Sequence, residues 1–372
     1  MDESTAAHRT LRGSRAFRRL EISLGGLWVL GGAVASTMLL SSCVGPPANE
    51  LARDWGWIDS GEAACPVEVD ESITTSARMG WQAIPNGDVI VRQLGWLEAC
   101  MPNADISWQK YDGGADVIQG FESDSVDIVV SGSAGPARGL SKPINMDAVV
   151  PYVFDVIGGA EQLVARDESI KTLRDLKGKK VAVPASSTTH YSLLSALEQE
   201  GMSGADVRLV FLTPDKIAAG WQTGELDAAY AWDPVRSQIL ETGHTVVTSS
   251  EVAKGGAPTF DVAVASRSFV AREKNYMDMW ARLQDEATRM INEEPAKAAE
   301  VSAEGLGIDA AMVEEQYGGY EYPSYQEQVE AGLLGDKLSD ALYDTAVFLK
   351  EQGEVAGVNE REFYRKVPVQ VR

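Results

Sequence analysis

Histidine is nearly absent from this sequence. The 372 residues hold three, at positions 8, 190 and 244, too few to build a His-rich metal site. Cations are scarce as well: 33 Lys and Arg stand against 55 Asp and Glu, a formal charge of −22. Phosphate binding needs a basic footprint, so a nucleic-acid partner held by electrostatics is excluded. Cysteine occurs three times, and none of the three has a catalytic partner beside it in sequence. No Ser or Cys stands in a nucleophile-elbow pattern and no HExxH occurs, which argues against a hydrolase. Internal repeats and low-complexity tracts are also missing. What is present is ordinary: 24% charged and 44% hydrophobic residues, the balance of a folded soluble body rather than a disordered one. The length allows one or two domains with a sizeable core.

Residues 1–42 read differently from the rest. Arg9, Arg12, Arg15, Arg18 and Arg19 precede an apolar run over 24–40, interrupted by four glycines. Its 17 residues sit at the lower edge of a membrane-spanning helix. Leu40-Ser41-Ser42-Cys43 follows directly and resembles a bacterial lipobox. In that reading 1–42 is a lipoprotein signal peptide, and lipid on Cys43 tethers the body through more than one acyl chain. The alternative is an uncleaved N-terminal anchor. Either way the body lies outside the cytoplasm, joined to the membrane by a linker over 43–72 whose first part is rich in Pro, Gly and acids. Without residues 1–42 the body keeps 28 basic and 52 acidic residues. Its acidity therefore belongs to the fold and disfavours adhesion to an anionic surface. Cys65 and Cys100 remain as an even pair in an exported chain, which points to a disulfide; two buried free thiols are the alternative.

Beyond the linker, strand-like and helix-like segments alternate. Short apolar or alternating stretches at 79–83, 106–111, 126–130, 160–165, 180–183, 207–212 and 226–232 read as strands. Helical spacing marks 89–99, 115–122, 170–176, 190–201 and 214–222. From 269 onward the chain reads as mostly helical, most clearly at 277–291 and 338–352. Such alternation predicts an α/β fold with largely parallel sheets.

In open α/β sheets ligands bind beyond the carboxyl ends of the strands. Ser131-Gly132-Ser133 follows one strand, and Ser186-Ser187-Thr188-Thr189-His190 follows another at a helix start. Four hydroxyls in a row exceed what a helix cap requires; beside free backbone N–H groups and a positive dipole end they suit an oxyanion such as sulfonate, phosphate or carboxylate. Trp232 closes a further strand, as a core residue or a ligand wall. Asp261 enters the apolar stretch 262–265, where a buried carboxylate needs a partner that a ligand ammonium would supply.

Three stretches resemble taurine-binding proteins of ABC importers. They are Lys180 to Pro184 continuing through Ser187-Thr-Thr-His-Tyr-Ser-Leu-Leu194, Gly220-Trp-Gln-Thr-Gly-Glu-Leu-Asp-Ala-Ala-Tyr-Ala-Trp232, and Gly256-Ala-Pro-Thr-Phe-Asp-Val262. Asp344 to Gly353 and, more loosely, Trp108 to Gly114 fit the same family. The resemblance spans about residues 75 to 357. It implies the two-lobed type II periplasmic-binding-protein fold, with two hinge strands near 161–166 and 261–266, lobe one at 73–164 and 263–372, and lobe two at 165–262. It implies a monomeric, non-catalytic, cofactor-free and metal-free protein that delivers its solute to a permease powered by a separate ATPase. For taurine, Ser133, Thr188 and Thr189 would hold the sulfonate, Asp261 the ammonium, and Trp232 would cover the carbon bridge. Gln82 is a further polar contact, and His190 would orient the Thr loop. An alkanesulfonate, a betaine-like amine or a pyrimidine precursor are the alternative solutes, and an enzyme of the same fold is the remote one. The chain departs from the family at Asp233, which precedes Pro234, and at Gly135-Pro136 and Arg138.

Overall fold

Residues 64–372 are described by a computed structural model. The signal segment, Cys43 and most of the linker lie outside the described residues. Among the described residues no helix is long and apolar enough to cross a membrane.

Eleven strands form two sheets among these residues. β1 (Ser76–Trp81), β2 (Asp105–Lys110), β3 (Ile128–Gly132) and β4 (Ala148–Ile157) build the first, completed late in the chain by β10 (Thr259–Ser266) and β11 (Tyr320–Glu321), in the order β11-β4-β10-β3-β1-β2. β5 (Gln162–Ala165), β6 (Lys180–Val183), β7 (Arg208–Phe211), β8 (Ala228–Ala231) and β9 (His244–Thr248) build the second, in the order β7-β6-β8-β5-β9. β1 to β4 run in one direction; so do β6 to β9. Only the strands entered after a crossing, β10 and β5, and the short β11 oppose their sheets. The chain crosses between sheets at 158–161 and 255–258, ahead of the expected limits, because β5 belongs wholly to the second sheet and β10 wholly to the first. Gly158-Gly159 and Gly255-Gly256 make these turns; Gly256 has φ 103, which a side chain would strain.

The period of two along β5, β6 and β8 explains the second lobe. Leu163, Val181, Val183 and Tyr230 face one helix layer with Leu193 and Leu197. Their neighbours Val164, Ala182, Ala229 and Ala231 face the other, with Ile217 and Trp221. The first lobe's core gathers around Trp280, fully buried on the helix Lys274–Glu293. Tyr152 and Phe154 of β4 meet its ring edge-on, at centroid distances of 5.9 and 6.3 Å.

β4 is the longest strand that the sequence pattern does not reveal; β9 and the two-residue β11 also escape it. The β4 run is apolar without alternation and contains Pro151, which argues against an inner strand. The ladder to β10 accommodates the proline at a register shift between Ala263 and Ala265. The helix expected over 89–99 is two, Gly87–Gln93 and Trp96–Cys100, parted by Gly95 at φ 61.

Cys65 is bonded to Cys100 with Cα atoms 5.0 Å apart, tying the segment before β1 to the helix Trp96–Cys100 across 35 residues of chain. A loop of that length is worth about 3–4 kcal/mol in the chain-entropy model. Replacing both cysteines by serine should lower the thermal midpoint by several degrees in calorimetry, and a reductant should move the native chain but not the variant.

Candidate functional site

The strand ends of both lobes converge on one narrow cavity of about 20 Å³. The first lobe brings Gln82 after β1, Gly113 and Gly114 after β2, and Gly132 at the end of β3. The second brings Ser186, Ser187 and Thr188 after β6 and Trp232 after β8. Asp261 from β10, Glu161 from the first crossing and Tyr320 from β11 complete the wall with Ile84. The lobes are closed on it. A Cβ on Gly114 would stand 2.4 Å from the Ser186 carbonyl oxygen, and one on Gly132 would stand 2.7 Å from the Thr188 methyl.

Two helix N-termini face this space, those of Gly114–Glu122 and Thr188–Gln199. Each carries unpaired backbone N–H groups and the positive end of a dipole. The hydroxyl run divides its labour. Ser187 caps its helix by accepting from His190 N at 3.1 Å, while its Oγ donates to the Pro184 carbonyl at 2.7 Å. Thr189 is fully buried with its Oγ1 2.8 Å from Ser187 Oγ, and does not line the cavity. Thr188 does, and donates its hydroxyl to Glu161. Ser186 holds the left-handed turn, at φ 57.

Of the seven ligand residues expected, Gln82, Thr188, Trp232 and Asp261 come together here. Ser133, Thr189 and His190 do not. Ser133 is tied to β10: its N–H donates to the Phe260 carbonyl at 2.7 Å and its Oγ accepts from Phe260 N at 3.2 Å. His190 is buried with its ring edge-on to Phe211 at 4.9 Å. Burial pushes its imidazole down to about 4, opposed by Glu354 and helped by Arg138; its side chain makes no hydrogen bond to the Thr loop among the described residues. Gln82 donates Nε2 to the Val130 carbonyl at 2.8 Å, which fixes its orientation at the wall.

Asp233 lies outside this lining as well. Its Oδ2 is 2.6 Å from Arg236, and its Oδ1 accepts from Ser237 N and Oγ at 2.9 and 2.6 Å. It serves a helix start and an ion pair. Arg138 pairs with Glu354 at 2.8 Å. A wider groove of about 800 Å³ adjoins the cavity and shares Gln82 and Trp232 with it. Those two side chains therefore border both spaces.

The cavity's other character is acidic. Glu161, Asp155 and Asp261 are buried, at 3%, 0% and 4% exposure. Among the described residues no Lys or Arg lies within 4.0 Å of any of them. Burial pushes Glu161 up to about 8, against the pull of the Thr188 and Ser249 hydroxyls and with a push from Asp261. Burial likewise pushes Asp261 up to about 7. Asp155 lies well above the usual carboxylate range, first by burial and then by the charges of Asp261 and Glu161. Sequence reasoning missed Glu161 and Asp155 as site groups; an acid set in an otherwise apolar stretch was the available signal, the same one that marked Asp261. Among the described residues no group of His, Cys, Asp and Glu is arranged to hold a metal ion.

The model of the NMT1-like family matches residues 100–305, a span that includes the cavity wall apart from Gln82, Ile84 and Tyr320. The chain is 33% identical to the taurine-binding periplasmic protein of Escherichia coli (strain K12), over 68% of this chain and 80% of that protein. Its fold is similar to that of the periplasmic aliphatic sulphonate binding protein SsuA from Escherichia coli, with a TM-score of 0.64, 22% identity, and 80% and 94% of the two chains covered. The desulfurization enzyme DszB shares the fold more distantly, with a TM-score of 0.53, 14% identity, and 78% and 96% covered. The fold alone therefore does not separate binding from catalysis.

Proposed function

This chain belongs to the NMT1-like family, and on that premise we propose that it is the extracytoplasmic solute-binding component of an ABC importer that captures taurine between its lobes. The observation that carries the reading is the pairing of chemistries in one closed cavity: two helix N-termini with the Thr188 hydroxyl, and beside them uncompensated buried carboxylates. A sulfonate suits the first and an ammonium the second. Taurine holds both groups two carbons apart.

Gln82 and the N–H groups near Gly114 and Ser187 would take the sulfonate oxygens, joined by Thr188 once its hydroxyl turns from Glu161 to the ligand. Asp261 and Glu161 would take the ammonium, and Trp232 would cover the bridge. Ser133 and Thr189 support this wall from behind through their bonds to β10 and the helix cap. The similarity to a taurine-binding relative supports a transport rather than a catalytic role. Delivery to a permease with its own ATPase, lipid anchoring through Cys43, action as a monomer and independence of cofactors belong to the same proposal.

Calorimetric titration with taurine, ethanesulfonate and choline tests it. Tight taurine binding is expected, with ethanesulfonate weaker by more than an order of magnitude because it leaves the acids unpaired. Equal affinity for taurine and ethanesulfonate would move the assignment to a plain alkanesulfonate. Preference for choline would move it to quaternary amines.

A further inference from the structure

Asp155 takes no part in the wall of the cavity, yet it is fully buried. Neither of its oxygens has a hydrogen-bond donor among the described residues. An ionised carboxylate so placed would carry its full desolvation cost with nothing to offset it. Directly opposite it on the neighbouring strand stands Asp261, its register partner in the β4–β10 ladder. Opposed residues of an antiparallel pair project from the same face of the sheet, with Cβ atoms about 5 Å apart. A register shift lies immediately beside the pair, between Asp261 and Val262, a device that re-aims side chains next to binding sites. On the other side of Asp261 its partner in β3 is Gly132, which has no side chain to offer.

We propose that Asp155 is a positioning residue that stays a neutral carboxylic acid at physiological pH and donates its O–H to the Asp261 carboxylate. Two like charges so close do not both ionise. The member of the pair with no exposure keeps the proton; the member at the cavity wall is the anion an ammonium can reach. The other groups facing the pair do not change this choice. Glu161 and Asp233 are acids, Tyr320 and Tyr322 are buried phenols held neutral well above their usual range, and Arg236 is already paired with Asp233. Asp155 thus fixes the direction of Asp261 and spares the site a further negative charge beside those of Asp261 and Glu161. The inference rests on the ammonium-binding reading of Asp261 proposed above.

The test sets Asp155→Asn, whose amide can donate the same bond, against Asp155→Val, which cannot. Both are titrated as the full chain at pH 7.5 with taurine and ethanesulfonate, after thermal unfolding shows them folded. Asp155→Asn is expected to bind taurine within about threefold of the native chain. Asp155→Val should lose about tenfold to a hundredfold, the value of a hydrogen bond to a charged group, with ethanesulfonate unmoved in both. A loss in Asp155→Asn as deep as in Asp155→Val would mean that the ionised form is needed, and would overturn the proposal. Infrared difference spectra of the ligand-free chain decide the protonation state independently. At pH 7.5 the native-minus-variant difference should hold a neutral carboxylic-acid C=O band for both variants, over and above the Glu161 band that all three chains share, and its absence would also overturn the proposal. A native chain that binds no taurine but keeps this band would sink the taurine assignment and leave Asp155 as assigned.

Discussion

Asp261→Asn should abolish most taurine binding while leaving the protein as stable as before, or more so. Breaking one side of a buried ion pair costs about 3–5 kcal/mol, so the dissociation constant should rise on the order of a hundredfold to a thousandfold. Ethanesulfonate, which has no ammonium, should bind the variant as it binds the native chain. The stability argument runs the other way because Asp261 is raised to about 7, mainly by burial. A group whose folded value exceeds its unfolded one contributes stability that is complete below the unfolded value and lost as pH rises through the folded one. From the ordinary carboxylate range up to about pH 7, the empty native chain therefore loses stability at this residue. Asn has no charge to bury, so the variant escapes that loss. Unchanged taurine affinity in Asp261→Asn would remove the residue from the site.

The same carboxylates set a pH dependence for capture. Glu161 is raised to about 8 and Asp261 to about 7 in the empty cleft, and an arriving ammonium favours their ionised forms. Binding below these values must expel protons, so taurine affinity should rise from pH 6 to pH 8 while the amine stays protonated. In Asp261→Asn the slope should shrink to the part owed to Glu161. An affinity flat across this range would mean the acids are ionised before the ligand arrives.

The parts of this protein that follow local rules were legible in its sequence. The short apolar runs of β1, β3 and β6 to β8, the alternation in β2 with the glycine break after it, and a hydroxyl-rich helix start all stood out, since each is set by neighbours in the chain. Asp261 was legible as an acid entering an apolar strand. What escaped depends on partners far away. β4 hides its strand character behind Pro151 and is stabilised by Trp280, more than a hundred residues on. Thr188 and Thr189 look alike in sequence, and helix geometry alone sends one to the cavity and the other to the cap. Asp155 stands in sequence only as an acid in an apolar run; its role emerges when β4 and β10 are paired, because that role lies in its register with Asp261. Ser133 looked like a ligand donor for the converse reason: nothing local announces that Phe260 claims its hydroxyl.

Closure itself should be breakable at one atom. Gly113 and Gly114 are neighbours on the cavity wall, yet they meet very different surroundings. A Cβ on Gly113 would have nothing within 4 Å, and its φ of 167 is extended backbone open to any residue. A Cβ on Gly114 would stand 2.4 Å from the Ser186 carbonyl oxygen of the opposite lobe and 3.0 Å from Gly135 Cα of its own. The Gly135 contact is tight and can relax within the lobe. The Ser186 contact cannot, because backbone meets the new methyl there, so the lobes must stay apart. Gly114→Ala is therefore expected to hold the cleft open and to weaken taurine binding on the order of a hundredfold, since a ligand that can no longer be enclosed loses its preference for the closed state. Small-angle scattering should show a radius of gyration that falls on adding taurine to the native chain and to Gly113→Ala but stays constant in Gly114→Ala. Thermal midpoints without ligand should differ little, because the clash lies between lobes rather than inside one. A Gly114→Ala chain that contracts and binds like Gly113→Ala would show that the lobes do not approach as closely as the Gly114–Ser186 contact requires.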